Sequence, residues 1–367
     1  MKKKTYAAAA LATGLALALS ACGGSDDGSD GGEGGADGEL QTVRVIHVPT
    51  TLFSPLYVAD ARGYFEDEGI ELELSTVQAG QDAIPLTAAG QSDVLIAGFG
   101  SGLFSAVNDD LEIRVVGSMG GGGGEPDNSP TALMVASDLV ESGEISEIAD
   151  LEGRTIALSG GPGGAGAYQF AAVLREADLT LSDVEVLNVG FGDMSGALQN
   201  GQADAALPPA PFTTAMEDDG TAVAFALPPE GTIASGVIYN EEFLDSDLAQ
   251  PFFDALVRGS HDLQADPYDP EILQILADAT GQELEVLESN PAYVWDPQLA
   301  PASEELMLQQ QAYRDAGLFD FDEEVPLEDL VVTTFSENAP PFEGGESGSE
   351  SSSDGSESSS DDAETSS

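Results

Sequence analysis

The chain has 367 residues and a formal net charge of −57, from ten lysines and arginines against 67 acids. That balance excludes nucleic acid as a partner, because neutralising phosphates takes clustered Lys or Arg, and it excludes electrostatic attraction to anionic lipid. One cysteine in the whole chain excludes an internal disulfide.

The first elements are export signals. Lys2, Lys3 and Lys4 precede an apolar run over residues 6–19 and then Ser20-Ala21-Cys22. A charged start, a short apolar stretch and a small-residue cleavage site read as a secretory signal over residues 1–21. The run is short of the ~20 residues that span a bilayer. Cys22 is similar to the acylated first residue of a bacterial lipoprotein, so the working part is expected outside the cell, anchored to the outer face of the membrane by lipid. Cleavage removes all three lysines and leaves seven arginines against 67 acids, a net of −60. Residues 22–40 are an acidic Gly/Asp/Ser linker and residues 343–367 an acidic Ser-rich tail. Both are too polar to offset their ordering entropy by burial, so both are expected to be disordered. The stretch between them carries 53 acids. Such a surface repels itself unless salt screens it, with a reach of roughly 3 Å at 1 M, and predicts a salt-rich or high-pH habitat.

About 300 residues, 41–342, remain for folding, enough for two lobes with full cores. Residues 42–48 predict a strand stopped at Pro49. Ser54-Pro55 predicts a helix start, with Ser54 as cap and proline in the first turn, running to Arg62. A strand over 70–74, a helix over 82–89 and a buried strand over 94–97 follow. Val115-Val116 marks a further strand, and the glycine run 120–124 reads as a flexible loop at the edge of this lobe. The same grammar restarts with strands at 154–158, 184–189 and 203–207 and helices at 167–177 and 194–200. Strand, helix, strand repeated implies parallel pairing in α/β sheets. The expected division is 41–137 for the first part of lobe 1, 138–232 for lobe 2, and 233–342 for a return to lobe 1. Helices at 247–265, 270–279, 283–288 and 303–316 should pack back over that lobe.

Several segments carry a family resemblance. Residues 55–70 hold Pro55, Ala59, Gly63-Tyr64-Phe65 and Gly69-Ile70; residues 88–94 hold Ala88-Ala89-Gly90-Gln91-Ser92-Asp93. Asp150-Leu151-Glu152-Gly153-Arg154 and Gly201-Gln202-Ala203-Asp204-Ala205 follow in order. Together they resemble the nitrate/sulfonate/taurine and thiamine-pyrimidine-precursor group of periplasmic binding proteins that feed ABC importers, over essentially the whole folded region. One departure stands out. Relatives often carry an acidic-Pro pair where this chain reads Leu207-Pro208-Pro209-Ala210-Pro211-Phe212.

The resemblance implies an α/β, two-lobed, type II periplasmic-binding-protein fold, each lobe a mostly parallel sheet flanked by helices. A ligand would be clamped between the lobes by hinge closure, with crossings near residues 136–137 and 233–235. It also implies a monomer without cofactor or metal, delivering a small molecule to permease and ATPase subunits.

The loops beyond the strand ends are the candidate site, because ligands of open α/β sheets sit there. In the first lobe they offer Thr50, Thr51, Phe53, Ser54 and Tyr57, then Gly80, Gln81 and Asp82, then Gly98, Phe99 and Gly100, then Ser118 and Met119. In the second they offer Gly161, Gly163, Gly164 and Ala165, then Asp193, then Pro209 and Phe212. Glycines there let backbone N–H groups approach a ligand. Gly161-Pro162-Gly163-Gly164-Ala165-Gly166 formally fits a dinucleotide fingerprint, yet no acid closes the next strand at the expected ~20 residues. A cradle at a helix N-terminus is the better reading. Asp82 and Asp193 read as helix-capping residues, and His47 as a core or near-pocket residue. No arginine falls in a strand-end loop, while Phe53, Tyr57, Phe99, Phe191 and Phe212 offer aromatic walls. The expected ligand is neutral, zwitterionic or heteroaromatic, such as a pyrimidine precursor, with a sulfonate or taurine as the alternative. An exported pyrimidine-synthase-like enzyme on the same fold would need a catalytic His or Lys at the cleft.

Overall fold

Alternation at a period of two sorts the side chains of each strand between two cores. The computed structural model describes residues 40–122 and 129–342. The signal, Cys22, the linker up to residue 39, Gly123, Gly124 and the acidic tail lie outside the described residues. Ten strands form: β1 (Gln41–His47), β2 (Ile70–Thr76), β3 (Val94–Gly98), β4 (Ile113–Ser118), β5 (Leu133–Ala136), β6 (Thr155–Leu158), β7 (Glu185–Asn188), β8 (Ala205–Ala206), β9 (Ala222–Ala226) and β10 (Ser235–Asn240). Leu95 and Ala97 of β3, Ile238 of β10, Leu133 and Val135 of β5 and Ile156 and Leu158 of β6 join one core that runs through both lobes. Their alternate neighbours Val94, Ile96, Val237 and Tyr239 face a second core in lobe 1. Met134, Ala157 and Ala206 face a third in lobe 2.

The two sheets share one plan. Their orders are β2-β1-β3-β10-β4 and β7-β6-β8-β5-β9. In each, four strands run in one direction, and a reversed strand, β10 or β5, pairs antiparallel with both its neighbours. The reversed strand is the one that enters its sheet from the other lobe. This moves the first crossing earlier than expected, because Leu133–Ala136 already pairs in the second sheet. The second sheet takes up the chain at Leu133, ahead of the expected 138. Four apolar residues without alternation carry no strand signal distinguishable from a buried helix segment. The second crossing, between Ala226 and Ser235, falls beside the expected one.

The two Gly-x-x-Asp elements do the same structural job in each lobe. Asp93 accepts the Arg44 amide at 2.8 Å and its guanidinium Nε at 3.0 Å. Asp204 accepts the Thr155 amide at 2.8 Å and lies 3.4 Å from the Arg154 guanidinium. Each aspartate pins the strand beside it, away from the strand ends that face the cleft. Replacing Asp93 with Ala orphans the Arg44 amide and its charge. Asp93→Ala is therefore expected to lower unfolding free energy by about 2 kcal/mol in denaturant titration while leaving ligand affinity intact.

Helices Ala249–Ala265 and Pro270–Thr280 pack back on lobe 1 as expected, while Ser303–Asp315 lies against helix Ala165–Leu174 of lobe 2 as well as Ser101–Asn108 of lobe 1. Helix Ala249–Ala265 crosses helix Ser54–Ala61 at Gly259, where a Cβ would lie 2.3 Å from the Pro55 carbonyl. The glycine run is less free than expected. Gly121 forms a backbone bridge with Val294, at 2.9 Å from its N–H, and a Cβ on Gly120 would meet Trp295 at 2.8 Å.

Candidate functional site

The strand ends of the two sheets face each other across a cleft of about 890 Å³, counting the solvent at its mouth. Lobe 1 contributes Val48, Thr50, Leu52 and Phe53 beyond β1, Gln78, Ala79, Gly80 and Gln81 beyond β2, and Gly98 at the end of β3. Lobe 2 contributes Ser159, Gly160, Gly164, Ala165, Gly166 and Gln169 beyond β6, Phe191 beyond β7, and Leu207 and Pro209 beyond β8. Thr131, Ala234 and Ser235 come from the crossings, and Tyr293 from the C-terminal part.

Among the expected contacts, Thr50, Phe53, Gly80, Gln81, Gly98, Gly164, Ala165 and Pro209 line the cleft. The others sit elsewhere, each for a visible reason. Thr51 and Ser54 line a small side pocket with Trp295, and the Ser54 hydroxyl donates to the Thr51 carbonyl at 2.5 Å. Capping at this turn falls to Thr50, which accepts the Leu52 amide. Tyr57 is buried, donating to the Val48 carbonyl at 3.3 Å and lying 3.1 Å from His47 Nδ1. Ser118 is buried and accepts the Ala302 amide at 2.7 Å, so it fixes the start of a C-terminal helix. Phe99 and Met119 lie in the core. Gly161 packs on Asn188, whose side chain accepts the Gly160 amide at 3.1 Å. Asp82 and Asp193 are exposed in first helical turns. Phe212 stands behind Phe191, ring centroids 6.1 Å apart.

Gly100 and Gly163 mark where the lobes touch. A Cβ on Gly100 would lie 2.6 Å from the Gly163 carbonyl, and one on Gly98 would lie 2.6 Å from the Ala165 Cβ. Gln81 also spans the gap, donating to the Gly160 carbonyl at 3.4 Å. The glycine-rich loop is thus a contact strip between lobes, with its last residues at the N-terminus of helix Ala165–Leu174.

Among the described residues, none that lines the cleft is charged. The arginines are committed elsewhere. Arg44, Arg62, Arg154 and Arg258 pair with acids. Arg175 lies over the Tyr168 ring, and Arg114 and Arg314 bond backbone carbonyls. Burial holds the His47 imidazole below its usual range, so it stays neutral at physiological pH. Burial likewise pushes the Tyr293 phenol up to about 12, leaving a neutral donor whose oxygen is 3.3 Å from Thr131 Oγ1. Ser235 is buried at the cleft with a hydroxyl that has no partner. The walls are therefore neutral amides, hydroxyls, backbone N–H groups and the rings of Phe53 and Phe191.

Sequence reasoning missed Gln78, Thr131, Gln169 and Tyr293. Gln169 had a signal, lying one helical turn beyond Ala165 on the same face. Tyr293 had none, because it reaches the cleft from a loop far along the chain.

The profile of the family described as NMT1/THI5 like matches residues 50–269. The chain belongs to that family. A curated relative, the riboflavin-binding protein RibY of Chloroflexus aurantiacus, is 23% identical over 232 residues, covering 62% of this chain and 63% of its own length. The chain thus spans somewhat under two thirds of that relative. The alkanesulfonate-binding protein SsuA from Xanthomonas axonopodis, bound to MOPS, superposes with a TM-score of 0.63 at 18% identity, over 80% of this chain and 99% of its own. The periplasmic nitrate-binding protein NrtA from Synechocystis does so with a TM-score of 0.65 at 12% identity, over 82% and 88%. These likenesses fix the fold as the two-lobed α/β fold of type II periplasmic binding proteins. Among the described residues, no helix is long and apolar enough to cross a membrane.

Proposed function

We propose that this chain is the extracytoplasmic solute-binding lipoprotein of an ABC importer, tethered through Cys22, and that its ligand is an uncharged heteroaromatic molecule. The carrying observation is the cleft lining, which among the described residues has no charged side chain in a chain of net charge −57. Phe53 and Phe191 give the cleft aromatic surface for a ring, while Gln78, Gln81, Gln169 and Ser235 offer donors and acceptors to its edge. The family's pyrimidine precursors have this character, and so does the flavin named for RibY. An anion would enter against the whole field of the protein without an arginine to meet it. Catalysis on this cleft lacks an acid or base among the lining residues, which supports a binder over an enzyme.

A sulfonate is the second reading, favoured by the N-terminal amides of helix Ala165–Leu174 at the cleft. Thermal shift in high salt separates the two. Riboflavin, pyrimidines and thiamine precursors are set against alkanesulfonates, taurine and nitrate. A true ligand at 100 times its Kd adds about 2.7 kcal/mol, a shift of roughly 5 °C. A shift with an uncharged ring and none with anions is expected; a shift confined to the anions would overturn the ligand assignment. A ligand chemically converted during incubation would overturn the binder reading.

A further inference from the structure

The helix Ser303–Asp315 carries Glu305, Gln309 and Tyr313 at successive i, i+4 positions, so they form one stripe along the helix. The helix lies between the lobes: Leu306 enters the core that both lobes share, the Ala302 amide bonds Ser118 of lobe 1, and the helix packs on Ala165–Leu174 of lobe 2 as well as on Ser101–Asn108 of lobe 1. Its stripe lies in the seam between the lobes. Gln309 Nε2 donates to the Phe99 carbonyl of lobe 1 and to the Tyr313 hydroxyl at 3.0 Å. That hydroxyl in turn reaches the Gly164 carbonyl of lobe 2 at 2.9 Å. One turn from Gln309, Glu305 accepts the Tyr168 hydroxyl of lobe 2 at 2.6 Å. Gln309, Tyr313 and Tyr168 are all fully buried.

We propose that this stripe is a latch: the chain Phe99–Gln309–Tyr313–Gly164, seconded by Glu305–Tyr168, holds the two lobes together through the protein's own bonds. Three features support that role. The bonds end on Gly164, which lines the cleft, and on Phe99, which follows the lining residue Gly98. The Tyr313, Gln309, Glu305 and Tyr168 side chains do not themselves line the cleft, so an occupant neither makes nor replaces these bonds. The hydrogens also suffice. Two amide hydrogens of Gln309 serve Phe99 and Tyr313, and the single phenol hydrogen lies between the Gly164 carbonyl at 2.9 Å and the Phe99 carbonyl at 3.1 Å, so that hydroxyl faces both lobes. Separating the lobes breaks the link to Gly164 and the link to Glu305, so the latch sets how far the resting protein favours closure. It acts whatever the ligand proves to be.

The test is the distance between spin labels at Asp109→Cys in lobe 1 and Glu217→Cys in lobe 2, both exposed, in the full chain carrying Cys22→Ser. Tyr313→Phe keeps the ring, which meets Phe104 and Phe319 at centroid distances of 6.0 and 6.3 Å, and removes only the hydroxyl. The ratio of short to long distances is expected to fall about five-fold in Tyr313→Phe, and by a similar factor in Tyr168→Phe. Gln310→Ala is the comparison, because Gln310 bonds Val325 within the C-terminal part on the other side of the helix. It should lower the melting temperature without changing the distances. Unchanged distances in both tyrosine variants would overturn the latch, whether or not their melting temperatures fall. Equal opening in Gln310→Ala would also overturn it, by showing that any loosening of the helix suffices.

Discussion

A methyl group at Gly100 is expected to prop the cleft open. The added Cβ would sit 2.6 Å from the Gly163 carbonyl, a backbone atom of the opposite lobe that has no side chain to swing aside. Overpacking of this kind costs about 1–3 kcal/mol, and here the cost falls only on the arrangement in which the lobes touch. Gly100→Ala should therefore weaken binding of the panel ligand about 30-fold by calorimetry while the ligand-free melting temperature barely moves. Gly102 supplies the comparison, since a Cβ there meets nothing within 4 Å. Gly102→Ala lies in helix Ser101–Asn108 and should be neutral or slightly stabilising. Gly236 marks the opposite extreme: its Cβ would lie 2.1 Å from the Gly117 carbonyl inside one sheet, so Ala there attacks the fold rather than the closure. If Gly100→Ala binds as tightly as the parent chain, the lobes do not need this contact to hold ligand.

Much of this arrangement was legible because local chemistry decided it. Alternation marked β2, a short apolar run marked β3, Pro49 stopped β1, and Pro270 marked its helix, where Asp269 accepts the Glu271 amide at 2.8 Å. Strand-end logic then placed Thr50, Phe53, Gly80, Gln81, Gly98, Gly164, Ala165 and Pro209 at the cleft. The failures share a different cause. The reversed strands β5 and β10 are defined by partners distant in sequence. Ser118 looked like a site residue because it ends a strand, yet an amide 184 residues away claims its hydroxyl. The Gly161–Gly166 run shows the same limit. Its spacing matched a phosphate cradle, but what requires the glycines is close approach, with Ser101 Oγ 2.5 Å from a Cβ on Gly163 and the Ser159 carbonyl 2.4 Å from one on Gly164.

Salt should raise the stability of this protein by more than Asp93→Ala lowers it. The folded stretch holds 53 acids and seven arginines, and ion pairs occupy only a few of those acids. Crowding of carboxylates is visible at Glu241, whose pKa is raised by its hydrogen bond to Glu112 and by that residue's charge. If ten such carboxylates each repel a neighbour by about 0.3 kcal/mol, screening returns about 3 kcal/mol, roughly 5 °C in melting temperature. Molar sodium chloride shortens the reach of these charges to roughly 3 Å, below the spacing of most surface pairs. The pH response carries the same sign. A carboxyl whose folded pKa is raised contributes stability below its unfolded pKa and loses it as pH rises through the folded value. Mild acidification should therefore stabilise the protein in low salt and do little in molar salt. Sucrose separates screening from general exclusion at the surface, because it strengthens burial without screening charge. A melting temperature that climbs with sodium chloride and with sucrose alike would assign the gain to exclusion; one that ignores salt altogether would mean the carboxylates are already spaced beyond each other's reach. A climb with salt alone, vanishing near the carboxylate range, would mark charge repulsion as the force that this surface has to be screened against.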